Sequence, residues 1–304
     1  MLNMNLISSI LASTLRSSVP LILASMGGCF STKAGVSDLG LEGMMLAGSF
    51  FAVLGSWFSG NAWIGLFTGI LFGIIISMLH AVMHITYKVN ASISGMCVNL
   101  LASAITPLLL EIVFHMGGKS VAVAAFEKPD GIWIKKIPVI GPILASQNIL
   151  FFITIVLVAA GWIFLYKTKI GLRMRMVGEN PQAASTVGLN VNRYKYFGVA
   201  ASGALAGFGG AYLSLGQMNL FVENMTSGRG YIAVVIDAFG RYNPAGVLAG
   251  SLFFGFFDSV QTMFQSVFPS QLVMMTPYVI TLFVIIFVVK GGRGPAGMGK
   301  HVEL

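Results

Sequence analysis

Apolar residues run through this chain in long blocks separated by short polar breaks. Nine candidate spans can be read, at 6–29, 40–58, 62–86, 93–115, 148–166, 196–216, 229–240, 245–265 and 273–290. A straight membrane-crossing helix needs roughly 20 predominantly apolar residues. The shorter blocks, above all 229–240, therefore read as broken or half helices. The expected fold class is all-α, a polytopic transmembrane helical bundle of about 8–10 spans. Residues 1–304 read as a single transmembrane domain, with notable loops at 117–147 and 167–195. The first block holds Arg16 and Pro20, and no small-residue cleavage pattern follows it, so it reads as a retained helix.

Composition gives the same picture by a different route. The chain is 56% hydrophobic and 9% charged, whereas soluble domains carry roughly 25% charged residues. So few charges cannot coat a water-exposed surface of this size, and lipid is the expected solvent. The net charge of +8 would suggest nucleic acid in a soluble protein. Here the basic residues fall between or after apolar runs, which is a topology signal, and no nucleic-acid partner is expected.

The longest basic stretch is 167–195, with Lys167, Lys169, Arg173, Arg175, Arg193 and Lys195 against the single acid Glu179. The positive-inside rule puts it in the cytoplasm. Alternation then places Lys33, Lys88, Arg241 and the tail residues Lys290, Arg293 and Lys300 on the same side. Loop 117–147 falls outside despite Lys119, Lys128, Lys135 and Lys136, with Glu127 and Asp130 diluting its charge. Nine spans put the N-terminus outside; a further broken helix before Glu42 would reverse that.

The 37 glycines recur at helical spacing. Gly65, Gly69 and Gly73 form one ridge, Gly203, Gly207 and Gly210 a second, and Gly246 and Gly250 a third. Such ridges let transmembrane helices approach closely.

Enzymatic chemistry finds no foothold. Cys29 and Cys97 have no metal-type spacing and read as small buried hydrophobes. His80 and His84 lie one helical turn apart but lack an acidic or third ligand, and read as membrane-interface residues. No metal site is expected. The run Gly294-Pro-Ala-Gly-Met-Gly299-Lys300-His301 is one residue short of a P-loop and places His301 where Ser or Thr is required. It reads as a flexible cytoplasmic tail.

Polar groups inside the apolar blocks are costly and so are candidates for a solute path. They are Glu42, Asn99, Glu111, Asp237, Asp258 and Gln261, with Gln265 on the same helical face as the last two. Gln217, Asn219, Glu223 and Asn224 cluster at the outer end of the sixth span. The best pathway set is Glu42, Asn99, Gln217, Asn219, Asp258 and Gln261; interhelical hydrogen bonds and a solvated loop are the alternatives.

The most specific feature is the segment from Gly178 to Leu189. Asn180 can cap a short helix begun by Pro181 and Gln182. Ala183 and Ala184 give it a small, smooth face, and Gly188 can end it. A short helix presented on the basic side is a docking element rather than a catalytic one.

This segment resembles the coupling helix of ABC importer permeases for ribose, other simple sugars and nucleosides, at Gly178, Asn180, Ala183, Ala184, Gly188 and Leu189. The stretch Ala34-Gly-Val-Ser-Asp-Leu-Gly-Leu-Glu42-Gly43-Met-Met is similar to the nucleoside-type branch, with Thr32-Lys33 and Asp38 departing from its usual residues. Ser94-Gly95 with Asn99, Gly228-Arg-Gly-Tyr-Ile-Ala233, and Gly240-Arg-Tyr-Asn-Pro244 extend the likeness over most of 15–290.

The resemblance implies a non-catalytic permease subunit of an ABC importer in the bacterial cytoplasmic membrane. It implies a second permease subunit, identical or paralogous, and an extracytoplasmic solute-binding protein. Separate ABC ATPase subunits would dock at Gly178, Glu179, Asn180, Pro181, Ala183, Ala184, Gly188 and Leu189. ATP and magnesium would belong to those ATPases, with no cofactor in this chain. The motifs lean toward nucleosides, then ribose-type sugars, then riboflavin. An ion-coupled secondary transporter with Glu42, Asp237 and Asp258 as relays is the rival class, and it would have no need of the helix at 180–188.

Overall fold

A computed structural model of the chain describes residues 2–126, 140–264, 276–287 and 294–300. Glu127, Lys128, Asp130, Lys135, Lys136, Gln265, Lys290, Arg293 and His301 lie outside them.

Among the described residues the helices are α1 (Leu2–Lys33), α2 (Leu41–Ser59), α3 (Ala62–Ala81), α4 (Ala91–Phe114), α5 (Ile140–Ala145) and α6 (Ile149–Lys167). They continue with α7 (Lys169–Glu179), α8 (Pro181–Thr186), α9 (Val191–Ala211), α10 (Arg229–Phe239), α11 (Pro244–Phe264) and α12 (Thr276–Phe287). One π-helical stretch, Val82–Thr86, prolongs α3, and another, Tyr212–Met218, prolongs α9. Six of these helical stretches are long and apolar enough to cross a membrane. The eleven-residue α10 is the half helix that its short block predicts.

Asparagines set several starts. The Asn61, Asn90 and Asn190 side chains accept from the N–H groups of Trp63, Ser92 and Arg193 at 2.8, 2.9 and 3.1 Å. Each satisfies a donor that the first turn leaves orphaned.

Helix α9 packs against α1, α2 and α3, and its glycines make this possible. A Cβ on Gly73 would lie 2.3 Å from the Gly203 carbonyl oxygen. One on Gly48 would lie 2.5 Å from the Gly207 Cα, and one on Gly69 2.7 Å from the Gly48 carbonyl oxygen. Two ridges read from sequence therefore meet, backbone on backbone, with Gly48 of α2 as a third party. The third ridge does something else: Gly246 abuts Gly240 in the turn before α11. The outward face of α3 carries Trp63, Ile64, Phe67, Leu71, Ile75 and Leu79, all exposed, as a lipid-facing helix requires.

The bundle has two distinct ends. At one, the Ser56 hydroxyl donates to the Ala124 carbonyl and Asn148 Nδ2 donates to the Gly216 carbonyl. Residues 118–126 lie over this end in extended form, their backbone bonded to Leu215, Asn219, Phe221 and Glu223. At the other end, Gly35 packs on Gly178 and the Thr86 hydroxyl meets the Tyr196 hydroxyl. Helices α7 and α8 lie here, with Lys33, Lys88, Arg241 and Lys300, as the nine-span alternation requires. Helix α1 runs from the first end, where its Ala12 carbonyl accepts from Gln147, to the second.

His80 and His84 are buried within the protein: His80 Nδ1 bonds the Ser94 hydroxyl at 2.9 Å and His84 Nδ1 the Val89 carbonyl at 2.8 Å. Two expectations are corrected. Cys29 is buried as expected, but Cys97 is exposed, since it falls on the outward side of α4 beside Met96. Residues 294–300 form a docked turn, not a loose tail. Gly297 N donates to the Gly178 carbonyl and Gly299 N to the Gly35 carbonyl. Lys195 Nζ donates to the Lys300 carbonyl at 2.6 Å. A glycine-rich segment has few side chains to pattern, so its sequence conceals that its backbone does the docking.

Candidate functional site

Two polar knots fasten α10, one at each end. The first is built on Glu42, in the opening turn of α2. Its Oε1 accepts from the Thr226 hydroxyl at 2.6 Å and from Gly228 N at 2.9 Å, and its Oε2 accepts from Gly230 N at 2.6 Å. A carboxylate thus sits on the orphan donors at the start of α10, where the helix dipole favours negative charge. Gly230 must be glycine, because a Cβ there would lie 2.4 Å from the Glu42 backbone.

Asn99 of α4 joins the same knot. Its Oδ1 accepts from Gly43 N at 2.8 Å, and its Nδ2 donates to the Leu39 carbonyl at 2.8 Å and the Tyr231 hydroxyl at 3.2 Å. Asp258 of α11 arrives through Arg229, whose Nη2 lies 3.6 Å from its Oδ2. Both side chains are about a quarter exposed. Gln261, one turn further on, keeps a buried Oε1 with no hydrogen-bond partner.

The second knot lies at the opposite end of α10. The Thr32 hydroxyl donates to Asp237 Oδ2 at 3.0 Å, and the Ser202 hydroxyl donates to Asp38 Oδ2 at 2.6 Å. Asp38 Oδ1 also accepts from Gly40 N at 3.1 Å. The non-helical link from α1 to α2 is therefore held at Asp38 by Ser202 of α9 and at Leu39 by Asn99 of α4, while Asp237 of α10 fastens the last turn of α1.

The pathway candidates divide accordingly. Glu42, Asn99 and Asp258 converge on the start of α10. Gln217 and Asn219 serve other contacts: Gln217 Nε2 donates to the Arg16 carbonyl, and the Asn219 carbonyl accepts from Val123 N. Tyr231, Asp38, Thr32 and Ser202 were missed as site residues. Tyr231 stands inside the Gly228–Ala233 motif, and Thr32 and Asp38 stand at the departures from the Ala34–Met45 pattern, so a signal was present at all three; Ser202 has none beyond being polar in an apolar block.

The short helix α8 is built as its sequence suggests. Asn180 Oδ1 accepts from Ala183 N at 3.0 Å, Pro181 opens α8, and Gly188 follows it at φ +80°. Leu189 N returns to the Ala184 carbonyl at 3.1 Å, closing the helix end. Asn180→Ala is expected to cost about 1 kcal/mol, read as a lowered unfolding midpoint of the detergent-solubilised protein.

One expectation about this element fails. Ala184 does not face outward; it is fully buried against Val177 and Val191. Gly178 is buried as well, because a Cβ there would lie 2.3 Å from the Lys33 carbonyl oxygen. The exposed face is Gln182, Thr186, Val187 and Gly188, with Val187 64% exposed. Glu179 Oε2 accepts from Ala296 N at 3.2 Å, so it ties the element to the 294–300 turn.

Residues 10–289 match the model of a family described as branched-chain amino acid transport system / permease component. The chain is 35% identical to the nucleoside ABC transporter permease protein NupC of Lactococcus lactis subsp. cremoris, over 98% of this chain and 97% of that one. It is 32% identical to the guanosine ABC transporter permease protein NupQ of Bacillus subtilis, over 97% and 96%. Among solved structures, PsaBC from Streptococcus pneumoniae in complex with Fab shares the fold, with a TM-score of 0.51 at 16% identity over 91% of this chain and 90% of that one.

Proposed function

Since the chain belongs to the family of branched-chain amino acid transport system permease components, we propose that it is the membrane-spanning subunit of an ATP-binding-cassette importer that carries nucleosides into the cell. It is a multi-pass protein of the bacterial cytoplasmic membrane. The observation that carries the nucleoside reading is the near full-length likeness to NupC and NupQ. The capped, exposed α8 supports a separate motor, because an ion-coupled carrier has no use for a rigid docking helix at its basic end.

The working parts proposed are these. ATPase subunits, with their ATP and magnesium, dock on the outer face of α8; this chain breaks no covalent bond. A second permease subunit, identical or paralogous, completes the path, and an extracytoplasmic binding protein delivers the solute at the end covered by 118–126. The start of α10 offers groups that suit a nucleoside: the half-exposed Tyr231 ring, held by Asn99, for the base, and the Arg229–Asp258 pair for the sugar hydroxyls.

The test is purification with the ATPase and binding protein, then a screen of nucleosides, ribose and riboflavin for stimulated ATP hydrolysis. Stimulation by nucleosides is expected; stimulation by ribose or riboflavin alone counts against the solute assigned. Val187→Asp is expected to cut co-purification of the ATPase roughly tenfold, as loss of a central interface contact does, while the chain stays folded. Unchanged co-purification would remove α8 as the docking face. Ala184→Arg is no substitute for this test, since it forces a charge into the buried side of the helix.

A further inference from the structure

A groove of about 560 Å³ runs between α6 and α11. Its walls are apolar: Val158, Ala159, Trp162 and Ile163 on one side, Pro244 and Leu248 on the other. The volume suits a chain-like apolar ligand. At the end nearest α7 the character changes. Lys167 Nζ lies 5.9 Å from the Trp162 ring centre, the Trp162 and Tyr166 rings are 6.0 Å apart, and the Arg175 guanidinium lies 4.8 Å over Tyr166. The groove thus opens onto an aromatic pair flanked by two cations. This is the makeup of the membrane–water interface, where Trp, Tyr and basic side chains gather at headgroup level.

Among the described residues no carboxylate forms an ion pair with Lys167 or Arg175. Residues 149–178 contain no Asp or Glu, and Asp237, the buried carboxylate of α10, is bonded to the Thr32 hydroxyl. The Arg229–Asp258 ion pair lies elsewhere, and Glu179 is tied to Ala296. Arg175 Nε is buried with no hydrogen-bond partner. Apolar walls that end in unneutralised donors call for a ligand with a hydrocarbon chain and an anionic head.

We propose that this groove holds one acyl chain of an anionic phospholipid, with its phosphate resting on Lys167 and Arg175. The charge complementarity selects an anionic lipid over a neutral one. The site touches α7 and the base of α11, so the lipid props the basic end of the bundle from outside.

The experiment uses the full chain with Trp57, Trp63 and Trp133 replaced by Phe, so that Trp162 alone reports. It is reconstituted in phosphatidylcholine vesicles containing rising fractions of brominated phosphatidylglycerol or of brominated phosphatidylcholine. Half-maximal quenching is expected at a roughly tenfold lower mole fraction of the anionic lipid, the advantage that cationic contacts near the surface provide. Lys167→Gln with Arg175→Gln is expected to bring the two lipids together. Ala159→Phe, which fills the groove, is expected to weaken quenching by both. Equal quenching by the two lipids, a preference that survives the double substitution, or a Trp162 that neither lipid reaches would each overturn the assignment. If the single-tryptophan chain does not fold, mass spectrometry of lipids retained by the native chain from an equal mixture replaces the readout. Enrichment of phosphatidylglycerol then supports the site, and equal retention overturns it.

Discussion

Gly73→Val is expected to abolish the folded protein, while Gly117→Ala leaves it unchanged. A Cβ at Gly73 would lie 2.3 Å from the Gly203 carbonyl oxygen and 2.7 Å from the Gly207 Cα. Neither neighbour is a side chain that can swing away; both are backbone, held in α9. Overpacking usually costs about 1–3 kcal/mol when side chains can yield. Here α3 must retreat from α9 along its length, which also strips the contacts of Gly69 and Gly48. In lipid those close contacts are the main attraction between helices, since apolar burial offers no comparable gain. With total stabilities of roughly 5–15 kcal/mol, the valine variant is expected to leave the membrane extract as aggregate in size-exclusion chromatography. Gly117 is the control, with nothing within 4 Å of its added Cβ. A monodisperse Gly73→Val protein with a normal unfolding midpoint would show that α3 and α9 are not in backbone contact.

The second large effect concerns Glu42. Glu42→Ala is expected to lower solute uptake at least tenfold in the reconstituted transporter, with Glu42→Gln falling between. The alanine variant orphans three donors at once, the Thr226 hydroxyl and the Gly228 and Gly230 amides. A buried donor left unpaired costs about 1–3 kcal/mol, and no other acceptor is bonded to these three atoms. The glutamine keeps one acceptor oxygen, enough for one side of the knot. Helix α10 is short and depends on its ends, so its first turn is expected to fray. Hydrogen exchange at Gly230–Ala233 should then rise in Glu42→Ala while the α9 amides stay protected. Normal uptake by the alanine variant would make Glu42 dispensable and shift the pathway assignment away from the start of α10.

How far the sequence reaches can be judged from these same residues. Helix positions were legible because apolar blocks end at asparagines and glycines whose capping roles are local. The glycine ridges were legible as ridges, and so was the cap at Asn180. What each ridge touches was not, because Gly73 and Gly203 are brought together only by the fold. The Glu42 and Gly228–Ala233 motifs were each visible, yet they form one object only across 188 positions of chain. In six residues of α8 periodicity cannot say which alanine faces in, and the outward reading of Ala184 failed for that reason. Residues 294–300 were misjudged because their docking uses carbonyls and amides that every sequence has.

The glycine contact among α2, α3 and α9 also bears on motion. Where Gly48, Gly69, Gly73, Gly203 and Gly207 meet, backbone rests on backbone with no side chain between, so the three helices have no lubricating layer there on which to slide. In any rearrangement of the bundle these three helices are expected to keep their mutual distances and to move as a single body.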